Sequence, residues 1–303
     1  LLNARPLLPG DLAGCVALAN ADGARGPLLD AALLGELLDR YLLIGRVIER
    51  RQRDLVRICG YGLSALVEPT IVAAARRSPQ PDLVARLLID AAAGKPCLLN
   101  RRDGAHLGRR GTREMLVINF AVEAGVDSEA AIAMLHTAFM EANSGYGLAG
   151  LTAEIRPWEK KSEYYKASLR AMGCAESSVD ARTGTQLFWL EAGFVQARPF
   201  HLLQQLFTNR APILKLSPAL RDVLELACLG YDDIAIATAL GIAVDTVRKR
   251  WRSIYERVAA RAPMILAAGS RRRAPANARR TRGPEKRRAV VEFVRLHLHE
   301  LRP

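Results

Sequence analysis

The chain is 303 residues long and half apolar, and its 44 lysines and arginines against 31 aspartates and glutamates give a net charge of +13. That length and apolar content predict two cores and so two domains. No run reaches the roughly 18 apolar residues of a bilayer span, and the leucines at the start are interrupted by Asn3, Arg5 and Pro6, unlike a secretory signal.

Opening on Leu1, the sequence is expected to be trimmed at its start. Cys15, Cys59, Cys97, Cys174 and Cys228 are scattered and odd in number, which predicts buried thiols in a reducing cytoplasm. His297 and His299 lie two apart and would point to different faces of a helix, so no metal site is expected.

In chain order, Leu12 to Ala19 and Leu28 to Tyr41 have helical composition and periodicity. Leu43 to Glu49 and Leu55 to Leu66 are β-prone, and the polar stretch Arg50 to Asp54 between them predicts a hairpin. Asp82 to Ala93 follows as a helix, then the strongest strand of the chain, Met115 to Val122. Asp127 or Ser128 would cap the next helix, which runs to Glu141, and Leu148 to Ile155 is a further strand.

This order is α+β. Over roughly residues 5–200 it resembles a GNAT acetyltransferase domain, a mixed sheet with helices, with Met115 to Val122 as the central strand and Ser128 to Glu141 as the helix after it. The resemblance implies a loop between them whose backbone N–H groups cradle the pyrophosphate of coenzyme A. Here that loop, Glu123-Ala124-Gly125-Val126-Asp127, has one glycine, no basic residue and two carboxylates, so no ordinary acetyl transfer is expected. Glu123, Asp127, Glu141, Tyr164 and Tyr165 read as solvated charges and core tyrosines rather than acid–base groups. The chain is accordingly not expected to be an enzyme, to have a catalytic residue or to carry a cofactor.

Ser217 and Pro218 form a helix start, and Gly230 a stop. Asp232 or Asp233 would cap a second short helix ending at Gly241. On a third helix, from Val244 or Asp245, Val247, Trp251, Ile254 and Val258 recur at i, i+4, i+7 and i+11 and must be buried. Asp245, Arg248, Lys249, Arg252 and Glu256 fall on the opposite face, with Arg250 on the flank.

Through Leu216, Ser217, Val223, Leu224, Gly230, Ile236, Ala237, Leu240, Gly241, Ile242, Thr246, Val247, Arg248 and Ile254, this segment resembles the helix-turn-helix domain of LuxR-type (GerE-type) transcriptional regulators. Leu220, Ala235 and Ala243 depart from that pattern at capping positions. The resemblance implies a recognition helix in the DNA major groove, with Thr246, Val247, Arg248, Lys249, Arg250 and Arg252 at the interface.

Residues 264–303 hold 11 basic side chains against 3 acidic ones. Arg271, Arg272, Arg273, Arg279, Arg280 and Arg282, broken by Pro275, Gly283 and Pro284, read as a basic linker, and Val290, Phe293, Val294 and Leu301 as a short amphipathic helix. The expectation is therefore a cytoplasmic, nucleoid-associated transcriptional regulator off the membrane. It has an α+β sensor and dimerisation domain (1–199), a connector (200–214), an all-α helix-turn-helix domain (215–263) and a basic tail (264–303). Its expected partners are double-stranded DNA, RNA polymerase, a small-molecule effector and a second copy of itself. The alternative is an acyl-CoA-binding or acyltransferase-like protein with a DNA-binding appendage.

Overall fold

Runs rich in Ile, Val, Leu and Phe at 44–52, 55–67, 113–122, 148–155 and 186–191 are extended strands in the computed structural model. It describes residues 1–52, 55–78, 82–102, 110–125, 128–157, 162–198, 201–271 and 283–303. They divide into two units, Leu1–Asn209 and Arg210–Pro303.

In chain order the first unit contains β1 (Leu2–Pro6), α1 (Leu12–Asp22), α2 (Ala31–Asp39), β2 (Ile44–Gln52), β3 (Leu55–Val67), α3 (Pro69–Arg77), α4 (Leu83–Ala92), β4 (Leu98–Leu99) and β5 (Arg113–Val122). It continues with α5 (Ser128–Asn143), β6 (Leu148–Ile155), α6 (Ser162–Ala171), β7 (Ala175–Glu176), β8 (Gln186–Glu191), α7 (Ala192–Gln196) and α8 (Gln204–Phe207). The second unit contains α9 (Pro218–Cys228), α10 (Asp233–Leu240), α11 (Val244–Arg261), α12 (Pro263–Arg271) and α13 (Gly283–Leu296).

The sheet of the first unit has the order β1-β2-β3-β5-β6-β8-β7, with β4 paired to β3. Every pairing is antiparallel except β5 with β6. Successive strand residues point to opposite faces, and the two faces have different covers. Val47, Leu63 and Ile118 share a core with Leu12, Leu37 and Leu88 of α1, α2 and α4. Ile48 and Cys59 pack with Ala131 and Leu135 of α5. This is the mixed α+β sheet expected for the N-terminal part.

Several elements were absent from the sequence reading. β1 is an edge strand held by Arg5, which pairs with Glu49 at 2.5 Å and Asp11 at 2.5 Å. α3 starts at Pro69, and the Glu68 carboxylate accepts from Thr70 N at 2.6 Å. β8 is buried along most of its length, so it lacks the alternation that marks a half-exposed strand. The helix expected from Leu28 begins at Ala31, because Asp30 caps it by accepting from Leu33 N at 2.9 Å. Arg53 and Asp54 of the expected hairpin turn, the expected cap Asp127, and Phe200 at the start of the expected connector lie outside the described residues. The part of that connector up to Asn209 belongs to the first unit, with Leu206 and Phe207 of α8 buried in its core, and the part from Arg210 belongs to the second, where Leu214 is buried.

In the second unit, Val247, Trp251, Ile254 and Val258 are all buried, as their spacing requires. Asp232 caps α10 by accepting from Ala235 N at 2.8 Å, and Gly241 ends it at φ 62°, a conformation that favours glycine. Ser217 precedes Pro218 but makes no capping bond. The unit is larger than three helices: Val290 and Val294 of α13 are fully buried in the same core. Arg287 donates to Asp233 at 2.6 Å and lies 4.8 Å from the Trp251 ring centroid. Arg272, Arg273, Arg279, Arg280 and Arg282 of the expected linker lie outside the described residues. No described helix is long and apolar enough to cross a membrane.

Candidate active site

β5 and β6 begin as partners and then part. Their register runs from Arg113 with Leu148 to Val117 with Ala153, and no later pair joins them among the described residues. β5 continues to Val122 held by β3, while β6 continues to Ile155 held by β8. A bulge helps to turn β5 at this point, since Leu63 pairs with Asn119 and the next residue, Ser64, with Val117, leaving Ile118 over. The result is a cleft in the middle of the sheet with a bare backbone edge from Ile118 onward.

The cleft opens into a cavity of ≈ 720 Å³ beneath α5 and α6. Its walls are largely apolar, with Ile44, Val117, Leu135, Phe139, Ala153 and Phe188 representative of the strands and helices that bound it. The polar groups are few. Ser64 donates to Asn143 Oδ1 at 2.9 Å, and Asn119 donates to the Tyr61 hydroxyl at 2.6 Å. Tyr165 of α6 meets Phe120 of β5 edge-on with ring centroids 4.5 Å apart, and Tyr164 is exposed beside it.

His136 of α5 also lines the cavity, and its Nε2 is buried without a hydrogen-bond partner. Burial pushes its pKa below the usual histidine value, which favours the neutral ring. Cys174 is on the wall too, but burial pushes its thiol up to about 11, so it is not a thiolate at neutral pH. No group of His, Cys, Asp and Glu among the described residues could hold a metal ion.

The five acid–base candidates of the sequence separate here. Tyr164 and Tyr165 reach the cavity. Glu141 is absent from its walls, Glu123 forms an ion pair with Arg57 of β3, and Asp127 lies outside the described residues. The pairing of Glu123 corrects one premise of the sequence reading, because an arginine on a neighbouring strand offsets a carboxylate that seemed set to repel phosphate. Gly125 turns the loop at φ 82°. His136 was missed: a single histidine on an amphipathic helix has no spacing signal, and only the fold places it against a cavity.

The predicted DNA-contacting residues all lie on α11 of the other unit. Arg248 is exposed and paired with Asp245 at 3.0 Å, Lys249 and Arg252 are exposed, and Thr246 and Arg250 are half-buried. Val247 cannot be an interface residue. It is fully buried, because it belongs to the stripe that packs α11 into its core.

No family model matches the chain and no curated protein matches it, so the LuxR-type resemblance of 216–258 has no support from relatives. Solved structures do match. NAA60 of Arabidopsis thaliana, in complex with a bisubstrate analogue, is 11% identical with a TM-score of 0.42, covering 63% of this chain and 98% of its own. The diaminobutyrate acetyltransferase EctA of Paenibacillus lautus is 14% identical with a TM-score of 0.36, over 63% of this chain and 95% of its own. The spermidine/spermine N-acetyltransferase SpeG of Vibrio cholerae is 13% identical with a TM-score of 0.35, over 65% and 97%.

These neighbours are acetyltransferases, and nothing among the comparisons supports the expectation of a DNA-binding, nucleoid-associated transcriptional regulator that is not an enzyme. That expectation rested on the helix pattern of 216–258, not on its charge.

Proposed function

We propose that the N-terminal unit is an acyltransferase that takes its acyl group from a coenzyme A thioester. The observation that carries this reading is the parting of β5 and β6 over a largely apolar cavity. Unpaired strand-edge groups from Ile118 to Val122 are suited to the amides of a pantetheine arm, by the same main-chain pairing that seats extended peptides on sheet edges. The phosphates would then fall by Gly125 and the start of α5, where helix N–H groups and the helix dipole favour anions.

In the transfer the acceptor nitrogen bonds to the thioester carbon, the carbon–sulfur bond breaks, the nitrogen loses a proton and the sulfur gains one. The neutral imidazole of His136 takes the first proton, and the Tyr165 hydroxyl supplies the second.

Thiol release from acetyl-CoA and longer acyl-CoA thioesters, followed with a panel of amines, tests the proposal. His136→Gln and Tyr165→Phe should each lower turnover by about 10²–10⁴-fold. If calorimetry detects no binding of coenzyme A or any of its thioesters, the reading falls.

A further inference from the structure

Resting on that acyltransferase reading, we infer that the acyl group is a medium-length aliphatic chain rather than acetyl, and that it lies under α5 across β5 and β3 toward β2. The cavity does not stop at the cleft. Its lining passes from Ala153 and Ile155 of β6, through Val117 of β5 and Gly62 of β3, to Ile44 of β2. With neighbouring strands about 4.8 Å apart, β5 to β2 is roughly 10 Å, the reach of about an eight-carbon chain. An acetyl methyl would leave most of that space empty, and an apolar void forfeits the contacts its walls could make.

The chemistry of the walls selects the occupant. Among the described lining residues the one carboxylate is Glu129, exposed on the first turn of α5, so the deep end has no counter-charge for an ammonium group. Arg46 on β2 is turned partly to its own backbone, with Nη1 donating to Gly45 O at 3.5 Å. Ile44, Leu135, Phe139 and Ala142 line the same cavity, and on β3, between β2 and β5, Gly62 forms part of its floor. A Cβ on Gly62 would already touch Leu135 Cδ1 at 3.4 Å, so any larger side chain there would occupy the path of the chain.

The test is calorimetric titration of the full chain with coenzyme A and its acetyl, butyryl, hexanoyl and octanoyl thioesters, below the concentrations at which the longer ones form micelles. Each added methylene that is fully buried should tighten binding by about fourfold, so affinity should climb steeply toward octanoyl-CoA. Gly62→Val should flatten the climb and move the preference to shorter chains, with the melting temperature reporting that it still folds. Equal affinity for acetyl-CoA and octanoyl-CoA in the unaltered protein would overturn the inference while leaving the acyltransferase reading in place. Absence of binding by every thioester and by coenzyme A removes that reading, and the inference with it.

Discussion

The two units differ in how openly they present themselves. In the second, nearly every structural decision is local: a proline starts α9, Asp232 caps α10, Gly241 stops it, and four apolar residues at helical spacing define the buried face of α11. In the first, the feature that matters is made by strands far apart in sequence. Val117 and Ala153 are the last partners before the cleft, and the cavity it opens into is lined by residues from Ile44 to Leu203. A clear local pattern is therefore a good guide to packing and a poor guide to function, while the opposite holds for the sheet.

The comparison can be pressed first at its two cores. Arg76 pairs with Glu114 at 2.6 Å, both nearly buried, and also donates to Thr152 at 2.8 Å. Arg76→Ala would strand that carboxylate and should cost about 3–5 kcal/mol in chemical unfolding of the first unit. Trp251→Ala should cost the second unit a similar amount, about 3–5 kcal/mol, by hollowing its core. Acyl-CoA binding by the Trp251→Ala protein, measured below its unfolding transition, should persist. Loss of binding there would mean that the units do not divide the work as argued.

A smaller effect probes the end of the chain. The fully buried Glu300 accepts from Ile213 N at 2.9 Å and Leu214 N at 2.8 Å. Glu300→Ala leaves both donors unpaired and should destabilise the second unit by about 1–3 kcal/mol. A melting temperature equal to that of the unaltered protein would show that these two bonds add nothing to the fold.

The smallest effect is a pH dependence. Because burial lowers the His136 pKa in the folded state, its contribution to stability is present above the unfolded value near 6.5 and is lost as pH falls through the folded one. Denaturation midpoints should thus decline on mild acidification, and less so in His136→Gln. Identical pH profiles for the two proteins would show that the ring is solvated.

Much of the fold was legible before any coordinates: the hairpin strands, the central strand, the helix that follows it, and the α11 stripe were all visible as periodicity and composition. The candidate site was legible only in fragments. Tyr164 and Tyr165 drew notice as residues but not as lining one cavity with His136, and Glu123 read as an obstacle because Arg57, 66 positions earlier, gave no sign of reaching it.

Residue chemistry by itself determined where helices begin and end, which faces are apolar, and that two cores form, since capping, glycine conformations and side-chain spacing act over a few residues. Tertiary structure alone decided that β5 and β6 run parallel and then separate, that α13 completes the second core, and that an uncharged histidine faces an apolar chamber. The reason is physical: strand partnering and burial are settled by contacts between distant segments, and a cavity is the space those contacts leave.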